Sequence, residues 1–194
     1  MKFIRDDEFI RGDCPMTKEE IRILSIAKME LEEDYKLLDI GAGTGSVSIQ
    51  ASKICIKGYV VAIERDKGAL EVLRKNKEKF KADNLDIIEG EALAKEQDIK
   101  GMFDAIFIGG SGGNIEDIIK RYSLKLKNGR MMVLNFITID NLYKAMEVLK
   151  ELRYETSCMM TSISKTRGES YMLFSNNPIF ILSGRKMTEE ALNG

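Results

Sequence analysis

A glycine-rich turn, Gly41-Ala42-Gly43-Thr44-Gly45, lies between a short apolar stretch and a run with helical character. Glycines at such a junction let the main chain turn sharply and let a ligand approach the backbone closely. The spacing G-x-G-x-G differs from the dinucleotide fingerprint G-x-G-x-x-G, because the third glycine comes one residue early. The turn therefore favours a nucleoside without phosphate over a pyrophosphate at the start of the helix.

Apolar stretches and amphipathic stretches alternate along most of the chain. Buried strands are predicted at 37–40, 59–63, 85–88, 103–108 and 131–136, and helices at 46–54, 67–80, 115–126 and 139–152. Continuous apolar strands that alternate with helices are typical of a parallel sheet covered on both faces. We therefore predict an α/β fold with a doubly wound, Rossmann-like sheet.

The two ends of the chain carry different patterns. Thr17 and Glu20 have the spacing of a capping box, which predicts a helix of about four turns with Thr17 as its N-cap. The stretches 154–164 and 170–182 are strand-like with no helix between them, and 166–169 is a turn candidate. They predict a C-terminal antiparallel hairpin at the end of the sheet. Asn177-Pro178 should interrupt the last strand or confine it to an edge.

Composition limits the kinds of site that the chain can build. The 194 residues are expected to form a single domain, 1–194, and the formal net charge of -1 argues against a nucleic-acid binder. The absence of histidine and the wide spacing of the three cysteines predict no metal site. The charged N-terminal residues are unlike a signal peptide, and no apolar run reaches about 18 residues. These features predict a cytoplasmic protein with no membrane partner.

Two carboxylates extend the signal of the glycine turn. Glu64 ends the second predicted strand, roughly twenty residues after the glycines, where a carboxylate can accept hydrogen bonds from ribose hydroxyls. Glu91 follows the third predicted strand within Glu89-Gly90-Glu91-Ala92, at the same edge of a doubly wound sheet. A carboxylate there could accept a hydrogen bond from an adenine amino group.

These motifs resemble those of the class I methyltransferases, which bind S-adenosylmethionine. The resemblance rests on 38–45, Glu64 and 90–92, and it implies a seven-stranded sheet of order 3-2-1-4-5-7-6, mostly parallel, with strand seven antiparallel. Glu91 departs from the pattern, since relatives more often have Asp there. The residues expected to bind the cofactor are Met16, Thr17, Asp39, Gly41, Gly43, Thr44, Gly45, Glu64, Arg65, Glu91, Ala92 and Gly109.

A narrower resemblance covers nearly the whole chain. The stretches 15–20, 39–48, 107–113 and 177–181, in that order, are similar to the decarboxylating C15-methyltransferases that act on cobalt-precorrin-6B in anaerobic cobalamin synthesis. The family implies a tetrapyrrole substrate, methyl transfer to C15 with decarboxylation of a ring acetate side chain, and a homo-oligomer, a tetramer in relatives. It also implies a C5-methyltransferase as a candidate partner protein.

The glycine cluster 109–113 is the expected catalytic segment. Gly110, Ser111 and Gly112 should lie beside the methyl donor, where backbone N–H groups near a helix start could bind a substrate carboxylate. A polyanionic substrate also needs cations, and Arg11, Lys18, Lys165 and Arg167 are candidates in segments that could overhang the site. The segment 1–34 is expected to cover the cofactor and the substrate.

The sequence is also compatible with three other functions. A methyltransferase could act on tRNA adenine or on protein carboxylates, although the acidic pI of about 5.8 disfavours tRNA. The chain could also be an inactive subunit that binds S-adenosylmethionine, or a nicotinamide oxidoreductase. Stabilisation by NADH but not by S-adenosylhomocysteine would select the last.

Overall fold

The computed structural model describes residues 3–110 and 112–188, with the side chain of Arg167 left out. Six α-helices and nine strands are present in these residues, together with two short 3-10 turns at Asp6–Glu8 and Glu96–Asp98. The elements are α1 (Glu19–Met29), β1 (Lys36–Ile40), α2 (Ser46–Ser52), β2 (Tyr59–Glu64), α3 (Lys67–Lys79), β3 (Leu85–Glu89), α4 (Ala92–Lys95), β4 (Phe103–Ile108), α5 (Ile115–Ser123), β5 (Leu126–Phe136), α6 (Ile139–Glu151), β6 (Tyr154–Thr161), β7 (Ser164–Arg167), β8 (Met172–Ser175) and β9 (Ile179–Lys186).

Seven of the strands form one sheet, in the order β3-β2-β1-β4-β5-β9-β6. Strands β1 to β5 run parallel to one another, and β9 is antiparallel to both β5 and β6. The predicted doubly wound α/β sheet, its strand order and its antiparallel end are confirmed. Carboxyl ends of parallel strands meet at one edge of such a sheet, which is where ligands bind in this class of fold.

Each face of the sheet is covered because alternate residues of its central strands point to opposite sides. Leu38 on β1 packs with α5 and α6, whereas its neighbour Leu37 packs on the side of α1, α2 and α3. Both side chains are completely buried. The glycine turn therefore projects from a strand that is fixed on both faces.

The predicted start of the first helix is wrong by one residue. Lys18, and not Thr17, occupies the N-cap of α1, and no side chain caps this helix. Thr17 instead presents its carbonyl oxygen to the guanidinium of Arg22, 2.9 Å away. The expected capping box with Thr17 as its N-cap therefore does not form.

The tail is more divided than predicted. The two strand-like stretches become four strands, because the chain leaves the sheet after Thr161 and returns to it at Ile179. Between these points β7 and β8 form a separate two-stranded hairpin, with its turn at 168–171 and not at 166–169. Asn177-Pro178 interrupts the strands as expected, but β9 lies inside the sheet and not at its edge. Helix α5 also ends at Ser123, since β5 already begins at Leu126.

Candidate active site

The carboxyl edge of the sheet opens into a cavity of about 1090 Å³. Its wall is formed by the glycine turn after β1, the segments after β2, β3, β4 and β5, the end of β6, the start of β9 and the N-terminal residues 12–18. Ligand pockets in proteins usually have volumes of about 300–1,000 Å³. The cavity is thus large enough for more than a single nucleoside.

The glycine turn needs glycine for two separate reasons. Gly41, Gly43 and Gly45 have positive φ values of 71°, 56° and 78°, which side chains disfavour. A Cβ on Gly41 would also lie 2.6 Å from the carbonyl oxygen of Gly110, and one on Gly43 would lie 3.2 Å from the carbonyl oxygen of Pro15. The space beside the turn is therefore open because its residues have no side chains. A nucleoside that contacts the backbone fits such a turn.

Three of the expected cofactor residues, Asp39, Thr44 and Gly45, do not belong to the cavity wall. A Cβ on Gly45 would be 2.0 Å from Cδ1 of Leu73, so Gly45 serves the packing of the turn on α3. Thr44 is buried and its hydroxyl has no hydrogen-bond partner among the described residues. Asp39 is completely buried. These three residues therefore support the structure of the turn and do not line the cavity.

Asp39 is a carboxyl group in an apolar environment. Its Oδ2 accepts a hydrogen bond from the hydroxyl of Ser48, whereas its Oδ1 has no partner among the described residues. The pKa of Asp39 is raised to about 7, chiefly by burial and also by the nearby charge of Glu64, while hydrogen bonds from Ser48 oppose the shift. Asp39 can therefore be protonated near neutral pH.

Glu64 accepts hydrogen bonds from two segments of main chain, the glycine turn and residues 65–66. Its Oε2 accepts a hydrogen bond from the N–H of Gly43 at 2.7 Å, and its Oε1 accepts from the N–H groups of Arg65 and Asp66. A carboxylate offers about four acceptor positions, so three bonds leave capacity for a ligand hydroxyl. The expected ribose acceptor thus also holds the glycine turn in place.

Glu91 acts as the N-cap of α4, a short helix that the sequence analysis missed. Its Oε2 accepts from the N–H of Ala94 at 3.0 Å. Beside it, the carbonyl oxygen of Ala92 accepts a hydrogen bond from the buried hydroxyl of Tyr122 at 2.7 Å. Burial, followed by the charges of Glu96 and Glu91, raises the pKa of Tyr122, so this hydroxyl stays protonated and keeps donating. These two hydrogen bonds, from Ala94 to Glu91 and from Tyr122 to Ala92, hold the cavity wall in place after β3.

The loop after β4 lies against the glycine turn. Gly109 donates its N–H to the carbonyl oxygen of Ile40 at 2.9 Å, which continues the pairing of β4 with β1. A Cβ on Gly110 would meet nothing within 4 Å, whereas one on Gly112 would be 2.6 Å from the guanidinium of Arg65. Gly110 thus borders open space, and Arg65 packs over Gly112.

Most of the expected site residues lie together on the cavity wall. They are Met16, Thr17, Gly41, Gly43, Glu64, Arg65, Glu91, Ala92, Gly109, Gly110 and Gly112. Ser111 lies outside the described residues. Asp39, Thr44 and Gly45 do not line the cavity.

The expected substrate cations are distributed differently. Of Arg11, Lys18 and Lys165, only Lys18 belongs to the cavity wall. Lys165 forms an ion pair with Glu20 on α1, and the guanidinium of Arg11 lies 3.3 Å from the carbonyl oxygen of Asp6. The side chain of Arg167 is not described. Lys18 and Arg65 are the cationic residues that the described wall contains.

The wall has two halves of different charge. The acidic half, beside β1, β2 and β3, carries the carboxylates of Asp13, Glu64, Asp66, Glu71 and Glu91 together with one cation, Arg65. The neutral half, beside β5, β6 and β9, carries amides, a hydroxyl and apolar groups, namely Asn135, Phe136, Ile137, Thr161, Ile163, Asn176, Asn177 and Ile179. Sequence reasoning missed the neutral half, except that Asn177-Pro178 marked a break at its border.

The described residues contain neither a helix that could cross a membrane nor a metal-binding cluster. None of their helices combines the length and the hydropathy that crossing a membrane would require. They also contain no cluster of three or more acidic or cysteine side chains that could hold a metal ion.

Comparison with known proteins places the chain in a family. The family model for the precorrin methyltransferase domain matches residues 8–182. A probable cobalt-precorrin-6B C(15)-methyltransferase (decarboxylating) of Sulfurisphaera tokodaii is 44% identical over 94% of this chain and 97% of its own length. The cobalt-precorrin-6B C(15)-methyltransferase (decarboxylating) of Salmonella typhimurium is 37% identical over 94% of this chain and 96% of its own.

A solved structure agrees with these relatives. The precorrin-6y C5,15-methyltransferase of Geobacter metallireducens superposes with a TM-score of 0.91 and 38% identity, covering 95% of this chain and 96% of its own. The chain therefore belongs to the precorrin methyltransferase family.

Proposed function

We propose that this chain transfers a methyl group from S-adenosylmethionine to C15 of a cobalt-precorrin and decarboxylates a ring acetate side chain, which loses carbon dioxide and becomes a methyl group. The observation that carries the proposal is the division of one cavity into an acidic half and a neutral half. Membership of the precorrin methyltransferase family and relatives named for this reaction support it.

The acidic half suits the cofactor. S-adenosylmethionine supplies a methyl group on a positively charged sulfonium, which makes that carbon electrophilic. In the proposed arrangement, backbone of Gly41 and Gly43 borders the nucleoside, Glu64 accepts from the ribose hydroxyls, and Glu91 accepts from the adenine amino group through the oxygen that does not cap α4. Carboxylates on this side favour a cation electrostatically.

The neutral half suits a large macrocycle with acidic arms. A polyanion would be repelled by the carboxylates of the other half, whereas Asn135, Asn176 and Asn177 offer N–H donors without negative charge. Apolar neighbours such as Ile163 and Ile179 can pack against a flat ring. The substrate is therefore held with its reacting carbon towards the cofactor half.

The loop after β4 lies between the two halves and positions the reaction. Its backbone N–H groups, close to the start of α5, are proposed to bind a substrate carboxylate, with Lys18 and Arg65 as the nearby cations. Rate then comes mainly from holding the ring carbon in line with the methyl group. The described wall of the neutral half offers no carboxyl, so the proton that replaces the lost carboxylate is proposed to come from water.

Assembly into homo-oligomers is part of the proposal. The β7–β8 hairpin exposes four consecutive large apolar side chains, Tyr171, Met172, Leu173 and Phe174. Contiguous exposed apolar patches commonly mark interaction sites. Light scattering of the purified chain should show a mass above that of the 21.9 kDa monomer, and Leu173→Glu should reduce it.

The experiment that tests the function is anaerobic incubation with S-adenosylmethionine and cobalt-precorrin-6B, followed by mass spectrometry. The expected product has gained one methyl group and lost one carbon dioxide. Methyl gain without loss of carbon dioxide would assign decarboxylation to another protein. Binding of S-adenosylhomocysteine with no transfer would show a non-catalytic subunit and contradict the proposal.

A further inference from the structure

We propose that Asn76 is a positioning residue that couples the N-terminal segment to the glycine turn and thereby sets how long S-adenosylmethionine stays bound. The inference rests on the proposed function, because it assigns a role towards that cofactor. It concerns residues 4–18, which we call the strap. The strap crosses α3 and then borders the cavity through residues 12–18.

The strap is held by buried polar groups at its two ends. The N–H of Ile4 donates to the side chain of Gln50 at 2.6 Å, and the completely buried guanidinium of Arg22 donates to the carbonyl oxygens of Ile4 and Thr17. The part between, residues 11–16, has no regular secondary structure. This middle part includes Pro15, whose carbonyl oxygen faces Gly43.

Asn76 holds the strap just before this middle part. Its Oδ1 accepts from the N–H of Ile10 at 2.8 Å, and its Nδ2 donates to the carbonyl oxygen of the same residue at 3.0 Å. The same Nδ2 also donates to the carbonyl oxygen of Thr44 at 3.1 Å. One completely buried carboxamide therefore binds the strap and the glycine turn together.

The same face of α3 contacts both segments a second time. A Cβ on Gly12 of the strap would lie 2.8 Å from Cγ2 of Val72, and a Cβ on Gly45 of the turn would lie 2.0 Å from Cδ1 of Leu73. The strap and the turn thus rest on one helical surface, at a fixed separation. Only a buried amide with both donors and an acceptor can satisfy the backbone groups of both segments at this point.

This geometry has a consequence for the cofactor. A ligand bound on Gly41 and Gly43 lies between the turn and the middle part of the strap, and it can leave only when these move apart. Loss of the Asn76 bonds would let them separate, which would raise the rate of dissociation more than the rate of association. We expect roughly a tenfold faster release of S-adenosylhomocysteine from Asn76→Ala, which corresponds to about 1.4 kcal/mol and lies within the net contribution of a hydrogen bond.

The test compares Asn76→Ala with Gln50→Ala, which removes a buried carboxamide that holds the strap at Ile4, far from the part that borders the cavity. Stopped-flow release of S-adenosylhomocysteine should be about tenfold faster for Asn76→Ala and within about twofold of wild type for Gln50→Ala. Equal acceleration in both variants, or none in Asn76→Ala, would overturn the proposal. Wild-type protein that does not bind S-adenosylhomocysteine would overturn the proposed function as well.

Protection from trypsin by the ligand gives a second measurement. It would not change if Asn76 only stabilised the fold. The Arg11–Gly12 bond lies in the middle part of the strap, and the side chain of Arg11 is half exposed. At saturating S-adenosylhomocysteine, cleavage there should slow in the wild type and in Gln50→Ala, but not in Asn76→Ala. Ligand protection that persists in Asn76→Ala would contradict the coupling.

A third variant covers the case in which Asn76→Ala does not fold. Ile10→Pro removes the N–H that donates to Asn76 and leaves the contact with Thr44 intact. Phe9 already has the extended φ of -81° and ψ of 141° that a following proline favours. Faster ligand release is again expected, and an unchanged rate would overturn the proposal.

Discussion

The hydroxyl of Ser48 donates a hydrogen bond to the carboxylate of Asp39 at a point in the core where neither side chain is exposed. Burial makes the charged form of Asp39 unfavourable, and this bond opposes the effect together with a backbone hydrogen bond from the same residue. Because the pKa of Asp39 rises from 3.8 to about 7 on folding, the folded chain binds this proton more tightly than the unfolded chain. The contribution of Asp39 therefore lowers the free energy of unfolding as pH rises from 3.8 to about 7.

Asp39→Asn should remove this pH dependence. We expect the difference in unfolding free energy between Asp39→Asn and wild type to shift in favour of the variant as pH rises across that window. Urea unfolding at several pH values measures it. Ser48→Ala removes the opposing hydrogen bond and should move the titration to higher pH. A difference that does not vary with pH would contradict the prediction.

Gly41→Ala should destabilise the turn and weaken cofactor binding. The new Cβ would combine a φ of 71° with a 2.6 Å approach to Gly110, and strain of this kind costs about 1–3 kcal/mol. Gly101→Ala is the matched control, since its φ is 83° but its Cβ would meet nothing within 4 Å. Chemical denaturation and calorimetric titration with S-adenosylhomocysteine should show the larger loss for Gly41→Ala. Equal losses would mean that backbone strain, and not the collision with Gly110, accounts for the effect.

Gly110→Val should abolish methyl transfer while S-adenosylhomocysteine still binds with nearly the wild-type Kd. A side chain at this position would enter open cavity space and would not collide with the glycine turn. It would therefore displace the acceptor and leave the cradle unchanged. Gly110→Ala should give an intermediate turnover. Unchanged turnover in Gly110→Val would show that the loop does not border the reacting carbon.

Arg22→Lys should be strongly destabilising although it keeps the charge. The completely buried guanidinium binds the carbonyl oxygens of Ile4 and Thr17 and the carboxylate of Asp6, and an ammonium cannot reproduce this fork. Breaking a buried network of this kind typically costs about 3–5 kcal/mol. Thermal unfolding should show a fall in Tm of roughly 10 °C for a chain of this size. Arg74→Lys, at a pair that is half exposed on both sides, should leave Tm nearly unchanged.

The fold was largely predictable because its strands are buried on both faces. Such strands read as continuous apolar runs, and β1, β2 and β4 were located to within a residue at each end. The glycine turn and Glu64 were also predictable, since both meet at the carboxyl edge of the sheet whatever the rest of the chain does.

The parts that escaped prediction depend on contacts between distant segments. Asn135 reaches the cavity and bonds with Ser25 on α1 through pairing that no local pattern reveals. Asn76 is an ordinary polar position in a charged helix until the strap is placed against it. Short-range periodicity carries no information about such long-range partners.

Strand β9 lies between β5 and β6, although it follows both of them in the chain. Until residues 179–186 insert, β5 and β6 each present an unpaired row of backbone N–H and C=O groups. Open edges of this kind can pair with other chains, and pairing between distant segments forms slowly. The interval before this strand inserts is therefore the stage of folding at which the protein is most exposed to aggregation.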